Sequence, residues 1–180
     1  MCNDIERIMF TKEDIQKAVD DLGKKITEDY KGKNLLVIAI LKGSFVFMSD
    51  LIRAIDLECK VDFMGASSYS GKKLESSGVV TIEKDIELPI EGYDIIVVED
   101  IVDSGNTLFH VKKLLDAKGA NSIKICALFD KPCRRRVDIS ADYHGFTIGD
   151  EFIVGYGLDF DEKYRNLPYV GILKPEIYTM

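Results

Sequence analysis

The stretch from residue 95 to residue 108 constrains the fold of this chain more than any other. It begins with the β-branched, apolar run Ile95-Ile96-Val97-Val98, which is typical of a strand that is buried on both faces. Glu99 and Asp100 follow, and the small polar loop Asp103-Ser104-Gly105-Asn106-Thr107 comes next. Apolar residues at helical spacing begin at Leu108. The stretch therefore predicts a strand, an acidic pair, a short loop and a helix.

The loop before this helix is a predicted anion-binding site. A helix presents free backbone N–H groups at its N-terminus, and its dipole favours negative charge there. Gly105 would let the backbone approach a phosphate closely, and Ser104 and Thr107 add hydroxyl donors.

Three carboxylates stand beside that predicted phosphate site, namely those of Glu99, Asp100 and Asp103. Carboxylates repel a phosphate unless a positive charge or a hydrogen-bond donor lies between them. A divalent metal, sugar hydroxyls that donate to the carboxylates, or a cationic transition state would each resolve the conflict. A sugar phosphate with a second, metal-bound phosphate group would satisfy all three conditions.

Residues 97–107 resemble the phosphoribosyl diphosphate (PRPP) binding motif of type I phosphoribosyltransferases. The alternative, a solvated acidic turn after an ordinary strand, is disfavoured because such turns seldom combine these acids, Ser-Gly and Thr in this order. The resemblance implies that Glu99 and Asp100 hold the ribose hydroxyls, directly or through metal-bound water. It also implies that Asp103 takes or shares the N7 proton of a purine, and that the backbone of residues 104–107 holds the 5′-phosphate.

A second strand-turn-helix pattern runs from the apolar stretch 35–41 through Lys42-Gly43-Ser44. By itself a Lys-Gly turn is a weak signal of phosphate binding, because such turns are common at protein surfaces. Beside the first motif it resembles the pyrophosphate loop of the family. The resemblance implies that Lys42 and Gly43 contact PRPP and that the Leu41–Lys42 peptide bond is cis.

A polar excursion rich in serine, glycine and lysine, residues 67–78, separates two strand-like segments. Composition alone leaves two alternatives open, an irrelevant surface loop and a lid over the active site. The family has a flexible loop here with a Ser-Tyr pair, which Ser68-Tyr69 matches. The resemblance implies a lid that closes and excludes water from a reactive sugar cation.

A third apolar run, at residues 123–129, predicts a strand that leads into Asp130-Lys131 and then into Arg134-Arg135-Arg136. Lys131 lies just past the carboxyl end of this strand, where open α/β sheets bind ligands. Its ammonium group could donate to a carbonyl oxygen of a heterocycle. The three arginines are interpreted as a solvated or subunit-contact stretch.

Residues 152–171 resemble the C-terminal region of hypoxanthine–guanine phosphoribosyltransferases, and the resemblance as a whole runs from about residue 34 to residue 173. It implies that Phe152 stacks on a purine and that Ile153 contacts the ring through its backbone. It places Asp159 near a metal and Arg165 at the pyrophosphate. Lys131 would then select a 6-oxo group, because the amino group of adenine would set a donor against a donor.

The implied reaction transfers the 5-phosphoribosyl group of PRPP to hypoxanthine or guanine and yields IMP or GMP and pyrophosphate. Mg²⁺ is the implied cofactor, because it is a hard ion that prefers oxygen, and Glu99, Asp100 and Asp159 are its candidate ligands. A homodimer or homotetramer is expected.

Three rival functions are a regulator of the same fold that binds RNA, an unrelated nucleotide-binding module, and a sister transferase for xanthine or a pyrimidine. The acidic balance disfavours the first. The second is disfavoured because the sequence contains neither a GxxxxGK[ST] nor a GxGxxG motif. The segment 152–159 argues against the third.

Predicted strands near residues 35, 95 and 123 alternate with predicted helices at 45–57 and 105–118, which indicates an α/β fold with a doubly wound, mainly parallel sheet. We expect one domain over 1–180, with a core at about 34–150 and a small hood formed by the N-terminal segment and about 151–180. The formal net charge of −7 argues against a broad nucleic-acid-binding surface. The scattered cysteines predict no structural zinc. The lack of an apolar run near ~18 residues predicts no membrane span. With an N-terminus unlike a signal peptide, we expect a cytoplasmic location.

Overall fold

The described part of the protein, residues 2–68 and 80–179 of a computed structural model, contains nine strands and four α-helices. The strands are β1 Ile5–Phe10, β2 Leu35–Leu41, β3 Cys59–Ser68, β4 Val80–Lys84, β5 Asp94–Val102, β6 Ser122–Asp130, β7 Tyr143–Thr147, β8 Ile153–Val154 and β9 Val170–Leu173. The helices are α1 Lys12–Asp29, α2 Phe45–Ala54, α3 Asn106–Ala117 and the single turn α4 Pro175–Tyr178.

Six strands form the central sheet in the order β4-β3-β2-β5-β6-β7. All neighbouring pairs are parallel except β3 and β4, which form an antiparallel edge. The predicted mainly parallel α/β sheet is therefore confirmed. Helices cover both faces, as parallel sheets require.

Side chains along the central strands point alternately to the two faces of the sheet, which divides the core into two layers. In β2, Leu35, Val37 and Ala39 pack with α1 and α2 on one face. Leu36, Ile38 and Ile40 pack with α3 on the other. Successive strand side chains point to opposite faces, so an unbroken apolar run is what a strand between two helical layers needs.

Local signals place the helix ends. Thr11 and Asp14 form a capping box at the start of α1, with the Thr11 Oγ1 accepting from the Asp14 N–H at 3.1 Å. Gly119 lies just beyond the end of α3 with a φ of +86°, a conformation common at helix C-termini. Among the described residues, no helix has the length and apolar character needed to cross a membrane.

The ends of the chain meet in a second, three-stranded sheet of order β1-β9-β8. Phe10 of β1 stacks on Phe146 with ring centroids 4.1 Å apart and lies 5.4 Å from the ring of Phe129. These aromatic contacts dock the small sheet against β6 and β7. The small sheet is therefore held beside the carboxyl ends of the central strands, where a ligand site is expected.

Candidate active site

The acidic pair lies inside β5, because that strand runs past its apolar part. Pairing with β6 continues through Ile101↔Phe129 and Val102↔Asp130. The predicted strand ended before Glu99, and the difference arises because backbone pairing to a long neighbour does not depend on apolar side chains. Glu99 and Asp100 are consequently positioned by the sheet.

Glu99 and Asp100 are electrostatically strained neighbours. Burial raises the pKa of Glu99 well above its usual range, and the charge of Asp100 raises it further. Burial also raises the pKa of Asp100, although hydrogen bonds from Glu99 and the Ile101 N–H and the charge of Arg165 oppose this. A nearby cation would favour the ionised pair.

The two carboxylates suit a hard cation that keeps water or substrate oxygens as its other ligands. Within residues 2–68 and 80–179, no cluster of three or more His, Cys, Asp or Glu side chains has a geometry that could hold a metal. Magnesium usually binds through one or two carboxylates and substrate phosphates, so the donor set fits it. The third candidate ligand, Asp159, lies 2.9 Å from the guanidinium of Arg165.

The turn after β2 approaches Asp100 so closely that only glycine fits. The Leu41–Lys42 peptide bond is cis, as the family resemblance implies. A Cβ built on Gly43 would lie 1.5 Å from Asp100 Oδ2, and one built on Gly157 would lie 2.1 Å from the Gly43 carbonyl oxygen. The Lys42-Gly43 turn is thus enclosed between the acidic pair and the segment that follows β8.

Arg165 organises that following segment. Its guanidinium donates to the Gly157 carbonyl at 2.8 Å and pairs with Asp159 at 2.9 Å and with Glu162 at 3.2 Å. Glu162 in turn pairs with Lys42 at 3.0 Å. Two basic residues predicted to contact pyrophosphate are thereby brought to one side of the site.

The predicted phosphate loop forms the start of α3. Gly105 caps the helix with a φ of +83°, where other residues are strained. A Cβ at this position would also lie 2.5 Å from Ile139 Cγ2. Glycine is therefore required by the turn and by packing from behind, independently of the expected approach to a phosphate.

Arg135 holds this loop and is therefore not solvated as the stretch was interpreted to be, whereas Arg134 and Arg136 are exposed. Arg135 donates to the Asp103 carbonyl at 2.7 Å and pairs with Asp130. The Arg136 N–H donates to the Ser104 carbonyl at 2.9 Å. The interpretation was wrong for Arg135 because its contact joins the segment after β6 to a loop that lies about thirty residues earlier, and no local sequence pattern predicts such a contact.

A cavity of about 220 Å³ brings together four predicted site residues, Asp103, Lys131, Phe152 and Ile153. Arg134, Glu151, Ile101 and Leu158 complete its lining. Lys131 is buried, and its ammonium donates to the Glu151 carbonyl at 2.9 Å and lies 3.3 Å from Asp150 Oδ1. A larger cavity of about 510 Å³ lies between α1 and β7 and is lined by none of the predicted site residues.

Phe152 presents an aromatic face at this cavity. Its ring is stacked on Tyr178 with centroids 4.8 Å apart and an interplanar angle of 18°, and it meets Phe160 edge-on at 5.6 Å.

The predicted lid pair is only partly described: Ser68 ends β3, and Tyr69 lies outside the described residues.

Comparison with known proteins decides the family. Residues 9–161 match the phosphoribosyl transferase domain. The chain belongs to this family.

Its relatives include the hypoxanthine-guanine phosphoribosyltransferase of Staphylococcus aureus, which is 51% identical over 179 residues and is covered over 99% of both chains. The bifunctional protein TilS/HprT of Listeria monocytogenes is 48% identical over 99% of this chain, but the match spans only 28% of that protein. The chain thus corresponds to about a quarter of such bifunctional relatives.

Solved structures share the fold of this phosphoribosyl transferase domain. A hypoxanthine phosphoribosyltransferase from S. aureus has a TM-score of 0.94 at 51% identity and covers 98% of this chain and 95% of its own. A ternary substrates complex of a mutant hypoxanthine phosphoribosyltransferase from Trypanosoma cruzi has a TM-score of 0.91 at 39% identity and covers 98% and 99%, respectively. The predicted type I phosphoribosyltransferase fold is confirmed.

Sequence reasoning missed several residues of this domain's candidate site, namely Arg134, Arg135, Asp150 and Glu162. Each contacts a predicted residue through a side chain that its own neighbours in sequence do not explain. The one usable signal was the clustering of three arginines directly after Lys131.

Proposed function

We propose that this chain transfers the 5-phosphoribosyl group of PRPP to hypoxanthine and to guanine, releasing pyrophosphate and forming IMP or GMP. The observation that carries the proposal is the cavity in which Asp103, Lys131 and Phe152 converge beside the phosphate loop. A donor, an acceptor and an aromatic face are what a 6-oxopurine needs. The S. aureus relative, matched over nearly its whole length, is named for this activity.

In the proposed reaction, Asp103 accepts the N7 proton of the purine, and Lys131 donates to its 6-oxo oxygen. Phe152 stacks on the ring, and the Ile153 backbone contacts its edge. A positioned general base contributes roughly 10²–10⁴-fold to a rate. Adenine is excluded because its amino group would face the donating ammonium of Lys131.

PRPP is held from both sides of the sheet edge. The backbone of residues 104–107, which includes Asn106, binds the 5′-phosphate at the start of α3. The hydroxyls of Ser104 and Thr107 add hydrogen-bond donors. Lys42, Gly43 and Arg165 bind the pyrophosphate. Glu99 and Asp100 hold the ribose hydroxyls. The same two carboxylates would hold a magnesium ion, with Asp159 near that ion. When bound, that ion neutralises charge on the leaving pyrophosphate.

Further parts of the proposal concern assembly and location. The small sheet forms a hood beside the purine cavity in a single domain, and Ser68-Tyr69 belong to a lid that closes over PRPP. The chain works as a homodimer or homotetramer in the cytoplasm. The net charge of −7 favours the enzyme over the RNA-binding regulator, which would need a basic face.

The test is pyrophosphate release by the purified chain with PRPP and magnesium, assayed with hypoxanthine, guanine, xanthine, adenine and uracil in turn. We expect turnover with hypoxanthine and guanine and none with adenine or uracil. Turnover restricted to xanthine or uracil would overturn the substrate assignment. Salt-sensitive RNA binding without pyrophosphate release would favour the regulator instead.

A further inference from the structure

Four charged side chains of alternating sign follow one another beside the candidate purine cavity, and three of them, Asp103, Arg134 and Lys131, line it. Asp103 Oδ1 lies 3.2 Å from Arg134 Nε. Arg134 Nη1 donates to Asp150 Oδ1 at 3.2 Å, and the same Asp150 oxygen lies 3.3 Å from Lys131 Nζ. The ion-pair series therefore joins the proposed proton acceptor to the proposed carbonyl donor.

The charges in this series support one another. Hydrogen bonds from Arg134 and then Lys131 lower the pKa of Asp150. The hydrogen bond to Asp150 and the charge of Asp103 raise the pKa of Arg134. Both linking residues are thus fully ionised at neutral pH, and each holds two partners of opposite charge.

Exposure separates the roles within the series. The side chain of Lys131 is 9% exposed, whereas those of Arg134 and Asp150 are 49% and 66% exposed. Exposed ion pairs contribute little to the stability of a fold. The linking pair is therefore expected to contribute little to the stability of the fold.

A 6-oxopurine presents O6 and N7 on the same edge, so its recognition needs a donor and an acceptor at a fixed separation. The Lys131 ammonium has three hydrogens. The Glu151 carbonyl and Asp150 account for two of them, which leaves the third for a ligand of the cavity that Lys131 lines. Arg134 forms an ion pair with the Asp103 carboxylate and donates a hydrogen bond to the same Asp150.

We propose that Arg134 is a positioning residue for purine recognition, which acts by coupling Asp103 to Lys131 through Asp150. The inference rests on the proposed function. It concerns purine selection and the rate with purine, and it leaves PRPP binding untouched, because the contacts of Arg134 are with the purine cavity.

The test compares Arg134→Ala, Arg134→Lys and Asp150→Asn with the wild type in the same pyrophosphate-release assay. Arg134→Ala is expected to lower kcat/KM for hypoxanthine about five- to tenfold, as befits one charged hydrogen bond. The KM for PRPP and the melting temperature should stay unchanged. Arg134→Lys should recover part of the loss, because it keeps the charge.

Coupling is measured by combining the changes. If the series acts as a unit, Arg134→Ala with Asp150→Asn should lose little more than Arg134→Ala alone. Arg136→Ala is the matched control, because Arg136 is exposed and its side chain enters no ion pair within the described residues.

Each outcome decides the matter. Equal hypoxanthine kinetics for Arg134→Ala and Arg136→Ala would overturn the positioning role. A rise in kcat/KM would overturn it as well, since Arg134 would then compete with the purine for Asp103. A rise in the KM for PRPP alone would assign Arg134 to the binding of PRPP instead of the purine. A wild-type chain without purine-dependent turnover would overturn the proposed function itself, and the two failures are therefore distinguishable.

Discussion

At the scale of single residues, Asp103 stands where the two halves of the candidate site meet. It follows β5, its backbone carbonyl is held by Arg135, and its carboxylate lies against Arg134 at the cavity. The anchoring contact involves the main chain, whereas the group that we propose to act in the reaction is the side chain. Anchoring and chemistry can therefore be separated by substitution.

Asp103→Asn is expected to fold normally and to lose most turnover with hypoxanthine. The Arg135 contact survives because it goes to the backbone, whereas an amide cannot accept the N7 proton, so kcat should fall by roughly 10²–10⁴-fold. Steady-state kinetics with a parallel thermal melt checks this. A kcat near that of the wild type would remove Asp103 from the chemistry, and Asp116→Asn on the exposed face of α3 serves as the control.

At the scale of elements, the β3–β4 edge is secured by a buried carboxylate. Asp62 accepts from the backbone N–H groups of Phe63, Glu87 and Leu88 at 2.7, 2.8 and 3.0 Å, and lies 3.8 Å from Lys84 Nζ. Burial alone would raise the pKa of Asp62, but these hydrogen bonds and the lysine together lower it. The strand is thereby tied to the segment that returns toward β5.

Asp62→Asn is expected to lower the free energy of unfolding at pH 7 by about 1–3 kcal/mol, the cost of disrupting a buried, charge-assisted network. The folded-state pKa lies below that of the unfolded chain. The carboxylate therefore stabilises the fold above about pH 4, and this stabilisation disappears as pH falls through the folded pKa. Urea unfolding at pH 7 and at pH 3 measures the difference between variant and wild type. A deficit that does not shrink at pH 3 would contradict the ionic origin.

At the scale of the whole molecule, α1 and α2 form the layer that supports one face of the sheet. Gly23 of α1 faces Ala54, and a Cβ on Gly23 would lie 2.5 Å from the Cβ of that alanine. On the same layer, Tyr156 donates to Asp50 at 2.5 Å, so α2 is joined to the segment after β8. Helix α2 therefore packs against α1 and also anchors the segment that follows β8.

Gly23→Ala is expected to destabilise the protein although alanine favours helices, because the close helix approach leaves no room for the methyl group. Overpacking of this kind costs about 1–3 kcal/mol, which corresponds to a melting temperature lowered by about 2–4 °C per kcal/mol in a chain of this size. Hypoxanthine kinetics at 25 °C should be unchanged. Lys24→Ala, exposed on the same helical turn, is the matched control, and an unchanged melting temperature for Gly23→Ala would show that the helices can separate freely.

Strands β2, β5 and β6, helices α2 and α3, and the loop from Asp103 to Thr107 were predictable from sequence. Each depends on apolar periodicity or on backbone geometry within a few residues, so the order of residues determines it locally. The resemblance to phosphoribosyltransferases then pointed to the residues that converge at the candidate purine cavity. Strand β5 was placed but cut short, because only its pairing with β6 extends it.

Tertiary structure alone decided how the candidate site is supported. The fit of Gly43 against Asp100 and Gly157, the pairing of Lys42 with Glu162, and the link from Asp103 through Arg134 to Lys131 all depend on chain crossings. Lys42 and Glu162 lie 120 residues apart. Periodicity cannot report such contacts, because the distance between two charged side chains is set by how the strands and loops between them pack.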